Sequence, residues 1–381
     1  MLRKILILSA LFSLMMAGCK KGEDNGGNGD GNNTNDVRLQ FSYTCNNSEQ
    51  DLLTAQVHDI RVYLFDQKTG VLSDIIPVGR QDIMRGWVDA DIPAGIYTAA
   101  AWGAGGTDIT EGGYIAAQMT NPAAHTYTPA KIGATTLDNF RMMLACDYSS
   151  GATRGEVSPK SDEFDDLFHA LVRNIVITKD ENQSVGLDFI KNTSTLKVVV
   201  MGLEYIAHTA FQPLELFVTG RNERYGYDNT IGEYAREVHY EPYNMALTPT
   251  AMNVDIKVQR LYIEKHITEP VLLYVRHYET GVDMIEPLNV VEAILGIRDV
   301  YGNYIYETQQ DIDRADEFVF GILIQPDPVT PPEPPLPPEP EPTPTDPSTP
   351  SKPSTPPNLK ITVTLNGFEI VDVVPEVVGG L

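Results

Sequence analysis

The sequence predicts an all-β fold: two tandem antiparallel β-sandwich domains with minor helix. Three observations carry this. Apolar residues alternate with a period of two along most of the chain. The alternating runs are separated by Gly, Pro, Asp and Asn, the residues that build turns. About 290 residues lie between a polar N-terminal stretch and a proline-rich one, a length that suits two domains.

Residues 1–18 read as a secretory signal peptide. Arg3 and Lys4 give a positive start, Ile5 to Met16 form a mostly apolar segment too short to span a bilayer, and Ala17 and Gly18 are small. The small-small-Cys ending resembles the lipobox of bacterial lipoproteins, with Met16 where Leu is usual. That resemblance implies lipidation of Cys19. At about 0.8 kcal/mol per buried methylene, two or three acyl chains would hold the mature chain on a membrane without crossing it. Ordinary signal cleavage with an incidental cysteine is the alternative.

Residues 19–36 read as a flexible tether, because 22–36 hold five Gly, five Asn and three Asp and no aliphatic or aromatic residue. Glu23 and Asp24 weakly resemble acidic signals that send some lipoproteins to the outer face of the outer membrane.

A first series of strands is predicted at 37–45, 59–66, 86–92, 97–103 and 140–147, within an N-terminal sandwich spanning 37–160. In DIRVYLFD (59–66), Ile60, Val62 and Leu64 alternate with Arg61, Tyr63 and Phe65, so this strand should be covered partly on both faces. The polar stretch SSGATRGEVSPKSDE (149–163) is the predicted boundary. A second series follows at 174–180, 185–190, 195–203, 214–220, 252–263, 271–279 and 317–324, within a C-terminal sandwich spanning 161–325. One short helix is predicted near Leu288 to Ile297.

Residues 326–357 carry 16 prolines in 32 positions, so half of the segment lacks a backbone N–H and neither sheet nor helix can form. Extended polyproline II would reach on the order of 100 Å as a semi-rigid spacer. A ligand for a proline-binding module is the competing reading.

Residues 358–381 contain a β-hairpin. Leu359, Ile361, Val363 and Leu365 alternate with polar residues, and Asn366-Gly367 offers a two-residue turn before Phe368. A lone hairpin is marginal in water, so it should dock. Completing the C-terminal domain is the favoured reading; docking on another chain would make Ile361, Val363, Leu365, Phe368 and Ile370 partner-binding residues through strand addition.

Charge and chemistry exclude several classes. Loss of residues 1–18 leaves 26 basic against 52 acidic side chains, a surface that repels phosphate backbones and argues against nucleic acid. Cys45 and Cys146 are a possible disulfide or two isolated thiols. The seven histidines form no HExxH or HxH, and there is no Cys-x-x-Cys, GxSxG or Walker loop, so no metal, cofactor, small-molecule substrate or catalytic residue is predicted. AWGAGG (101–106) opens no amphipathic helix and reads as a turn, and DEFDD (162–166) as a solvated face.

In order along the chain, the lipobox, DIRVYLFDQKTGVL (59–72), IPAGIYTAAAWG (92–103), DDLFHAL (165–171), NTSTLKVVVMGL (192–203), QQDIDRADEF (309–318) and ITVTLNGFEIVD (361–372) resemble the Bacteroidetes-type fimbrial anchor or minor fimbrial subunit family. The resemblance implies two transthyretin-like domains and a lipidated N-terminus. It further implies a place at the base of a fimbrium in the outer membrane, joining shaft subunits by strand addition and limiting fimbrial length. The proline insertion before the last strands departs from the family pattern. Arg154 and Arg173 lie where a protease trims similar shaft subunits, but an anchor must keep its N-terminus, so no cleavage is expected there. A tip or accessory adhesin and a surface glycan-binding lipoprotein are the alternative functions.

Overall fold

In the first half of the chain the period-two alternation becomes two layers of sheet. The structure, a computed structural model, describes residues 34–106, 108–147, 158–159, 163–179, 181–232, 234–326 and 359–373. The predicted signal peptide, Cys19, most of the tether, Arg154 and nearly all of the proline-rich segment lie outside the described residues.

The strands here are β1 (Thr34–Ser42), β2 (Asp59–Asp66), β3 (Leu72–Val78), β4 (Trp87–Pro93), β5 (Gly95–Ala104), β6 (Leu167–Ile177) and β7 (Gln183–Asp188). One sheet has the order Ile190–Lys191, β6, β5, β2, β3; the other has the order β7, β1, β4. β1 is the central strand of the smaller sheet, parallel to β7 and antiparallel to β4. It starts at Thr34, so pairing extends into the residues read as tether, where there is no hydrophobic pattern to mark it.

Between the two sheets, Val37, Leu39 and Phe41 of β1 share a buried cluster with Ile60, Val62 and Leu64 of β2. Tyr63, Phe65 and Trp102 on the far face of the larger sheet join a second core with Tyr114, Phe140 and Met142. The strand at 59–66 is therefore covered on both sides.

β6 pairs with β5 and β7 with β1, both of the first series, and Ile190–Lys191 adds to the outer side of β6. These strands thus lie in sheets of the first series although they follow the polar stretch 149–163, and Phe140–Leu144 of the first series pairs in turn with Arg224–Tyr225. A polar, glycine-containing segment announces a break in structure, but it cannot tell which sheet the next strand enters.

The second half adds β8 (Thr193–Met201), β9 (Leu214–Gly220), β10 (Pro242–Leu247), β11 (Ala251–Gln259), β12 (Leu272–His277), β13 (Glu317–Pro326), β14 (Leu359–Leu365) and β15 (Phe368–Val373). A six-stranded sheet has the order β10, β11, β8, β13, β14, β15, and a four-stranded sheet the order Val238–Tyr240, β9, β12, Leu288–Asn289. Leu196, Val198 and Val200 of β8 meet Leu214, Leu216 and Val218 of β9 in the second core.

β8 and β13 run parallel, the one unusual pairing in this sheet. Gly202 closes β8 with φ +88°, and a Cβ there would stand 1.8 Å from the Ile324 carbonyl oxygen. Only glycine allows that approach. The predicted helix forms at Val290–Gly296, with the Asn289 side chain accepting from the Glu292 amide. Three further helices, Leu53–Gln56, Arg80–Arg85 and Gln309–Arg314, have too few residues for a periodic pattern, although Thr308 and Asp311 form a capping box on the last. Among the described residues no helix is long and apolar enough to cross a membrane.

The possible Cys45–Cys146 disulfide is not formed. Both residues remain thiols, with no bond between them. Cys146 is buried in the second core, within electrostatic reach of Tyr240. Burial pushes the Cys45 thiol upward, and its neighbours are Asp313 and Arg314, so each cysteine has different surroundings.

Candidate assembly interface

The terminal hairpin is built from its own alternation. Ile361, Val363 and Leu365 are at most 1% exposed and lie in the second core with Phe320, Ile322 and Ile324 of β13. Burying three such side chains is worth roughly 1.5–3 kcal/mol each, enough to hold a hairpin that would be marginal alone. Asn366 and Gly367 have φ +49° and +84°, the left-handed pair that a tight hairpin turn requires. The turn is tied to β13 as well: the Asn366 amide donates to the Val319 carbonyl at 2.7 Å, and the Val319 amide donates to Asn366 Oδ1 at 2.9 Å.

β14 is paired on both sides, with β13 from Phe320↔Leu365 to Pro326↔Leu359 and with β15 from Leu365↔Phe368 to Ile361↔Val373. Three of the residues read as partner-binding, Ile361, Val363 and Leu365, are thus committed to the chain's own core. Phe368 and Ile370 belong to β15, and Ile370 has no register partner because the ladder shifts between Val363 and Thr364.

β15 is the last strand of the sheet. Among the described residues nothing pairs with its outer edge, and its sequence FEIVDV has no proline. The opposite edge, β10, begins with Pro242 and has an irregular register between Pro242 and Asn244, two features that blunt an edge. A free, proline-free edge offers a row of amide and carbonyl groups to another extended chain.

The acidic motifs serve structure. Asp166 accepts from Thr193 Oγ1 at 2.9 Å and lies 3.0 Å from Lys191 Nζ and 3.3 Å from Lys257 Nζ. Burial pushes its carboxyl up, but the two ammonium groups outweigh burial and hold it below the usual carboxylate range. Lys191 also reaches Asp316 at 3.4 Å, and Arg260 Nε donates to Asp313 at 2.8 Å. DDLFHAL and QQDIDRADEF therefore link strands of the first series to those of the second. Asp165 fills the space above Gly106 and Gly112, where an added Cβ would stand 1.7 and 2.6 Å from Oδ2. Gly106, the last glycine of AWGAGG, and Gly112 make room for that carboxylate.

His169 is buried against Trp102, its ring centroid 4.4 Å away, and its Nε2–H donates to the Tyr227 carbonyl at 3.0 Å. Among the described residues no three His, Cys, Asp or Glu side chains gather as metal ligands. Arg173 lies in β6, with Asp228 at 3.5 Å and the Tyr227 ring at 5.6 Å. Alternation alone does not tell that β15, rather than β14, lies at the edge; sheet order is set by partners far away in the chain.

The profile of the Fimbrillin-A associated anchor proteins Mfa1 and Mfa2 matches residues 30–374. The chain belongs to this family. Solved structures share its fold. The fimbrial anchor protein Mfa2 from Porphyromonas gingivalis aligns with a TM-score of 0.61 at 16% identity, covering 89% of this chain and 100% of that one. A candidate polysaccharide-binding protein from Bacteroides thetaiotaomicron aligns at 0.60 and 17% identity, covering 76% and 91%. A candidate adhesin from Bacteroides ovatus aligns at 0.60 and 16%, covering 77% and 90%. No curated protein matches by sequence. Members of the anchor family are structural components of fimbriae, which gives this protein a place among fimbrial subunits at the cell surface.

Proposed function

We propose that this family member anchors a fimbrium to the outer membrane. In this reading Cys19 carries the lipid, the tether spans to the folded body, and the free edge of β15 receives an extended segment of the first shaft subunit. Backbone hydrogen bonds would supply strength and the alternation of side chains would set register. The observation that carries the reading is a family match over nearly the whole chain together with a proline-free sheet edge built by the terminal hairpin. Retention of an uncleaved chain at Arg154 and Arg173 belongs to the same proposal.

The test is the partition of fimbriae between cells and medium in the native strain. A Cys19→Ala variant should release them, at increased length if the anchor also limits growth. Fimbriae that stay attached at normal length would overturn the proposal.

A further inference from the structure

The outer face of the β7–β1–β4 sheet carries a dent that the anchor reading does not use. Because Val37, Leu39 and Phe41 point inward, the pleat turns Arg38, Gln40 and Ser42 outward. Gln40 is flanked in register by Gly186 of β7 and Trp87 of β4. Gly186 lacks the side chain that would fill the row, and a Cβ there would meet nothing within 4 Å. The result is a cavity of about 540 Å³ lined by Gln40, Ser42, Arg85, Trp87, Gly186 and Asp188, a volume within the range of small-ligand sites.

Its polar groups are held in place. Asp188 accepts from Ser42 Oγ at 2.8 Å, the Thr44 amide at 3.2 Å and Thr44 Oγ1 at 2.8 Å. The Trp87 ring lies under the Arg38 guanidinium at 3.7 Å and near that of Arg85 at 4.5 Å. Arg38 is paired with Asp89 at 2.9 Å, and Arg85 with Asp82. The dent therefore combines a tryptophan stacked against guanidinium groups, fixed donors and acceptors, and one carboxylate, Asp188, held by neutral donors, while the chain as a whole carries a formal charge of -24. That mixture suits an uncharged ligand rich in hydroxyl groups and disfavours polyanions.

We infer that this dent is a binding subsite for a neutral saccharide, independent of fimbrial anchoring. The protein contains its own reporter. Of its two tryptophans, Trp102 is fully buried and Trp87 lines the dent.

Tryptophan emission of the full chain in detergent should be titrated with gluco-, manno- and galacto-tetrasaccharides, with a sulfated oligomer as contrast. At least one neutral sugar should give a saturable change. Gly186→Val, which fills the dent with a residue favoured in strands, should weaken that binding at least tenfold with an unaltered melting temperature and normal retention of fimbriae. Gln40→Ala provides a second variant should valine disturb the sheet. Absence of a saturable change across the panel, equal binding by both variants, or preference for the sulfated oligomer would overturn the inference.

Discussion

Gly202 Cα faces the carbonyl of Ile324 so closely that no side chain fits between them: an added Cβ would come within 1.8 Å of the oxygen. The obstacle is backbone, and Gly202 also needs a left-handed φ. Gly202→Ala should therefore cost about 3 kcal/mol or more in chemical denaturation. Gly106→Ala meets a carboxylate that can turn aside, and about 1 kcal/mol is expected. Similar losses for both variants would show that close approach to Ile324 does not govern this part of the sheet.

Stability should fall on acidification through His169. Burial, with a smaller push from Arg260, lowers its pKa to about 3, against the donating contact to Tyr227. The unfolded chain takes up the proton near pH 6.5 while the folded chain does not, so stability is full above that pH and is lost as pH falls towards 3, by up to about 1.4 kcal/mol per unit. Denaturation midpoints between pH 7 and 4 should flatten in His169→Gln, which removes the titrating group. Asp166, held low, adds a further loss only below about pH 4, because its advantage exists above the unfolded pKa.

Pro326 and Leu359 are register partners, although 32 residues separate them in the chain. Replacing 327–358 by a four-residue turn should leave the sheet intact and stabilise it by about 2 kcal/mol, since each halving of a loop is worth about 0.6 kcal/mol. A proteolytic nick within 327–358 should give two fragments that co-elute until denatured. Loss of the C-terminal fragment under native conditions would mean that the β13–β14 ladder does not hold it.

A photo-crosslinking residue at Glu369 or Asp372 in β15 should form adducts with the shaft subunit in cells. The same residue at Met245, on the opposite edge strand, should not. Adducts from Met245 alone would move the assembly edge to β10.

Much of this was legible in the sequence because alternation reports directly on which faces are buried. DIRVYLFD and LELFVTG are strands at the residues their patterns mark, and Asn366-Gly367 announces its turn through backbone preference alone. What alternation does not contain is partnership. Nothing in β7 says that it lies parallel to β1, or in β14 that it is paired on both sides and β15 lies at the edge. Strand Tyr114–Asn121 was missed because its alanines and polar residues blur the contrast between faces. The acidic motifs resembled surface because their cations, Lys191, Lys257 and Arg260, lie elsewhere in the chain.

The central position of β1 has a mechanical consequence. Tension transmitted along the chain from its N-terminal side enters the described body at Thr34, and a strand held by β4 on one side and β7 on the other cannot be peeled from a free edge. Withdrawing it requires breaking both ladders and bringing Val37, Leu39 and Phe41 into water, which makes the first strand the fastening through which a pulling load would be shared with the rest of the molecule.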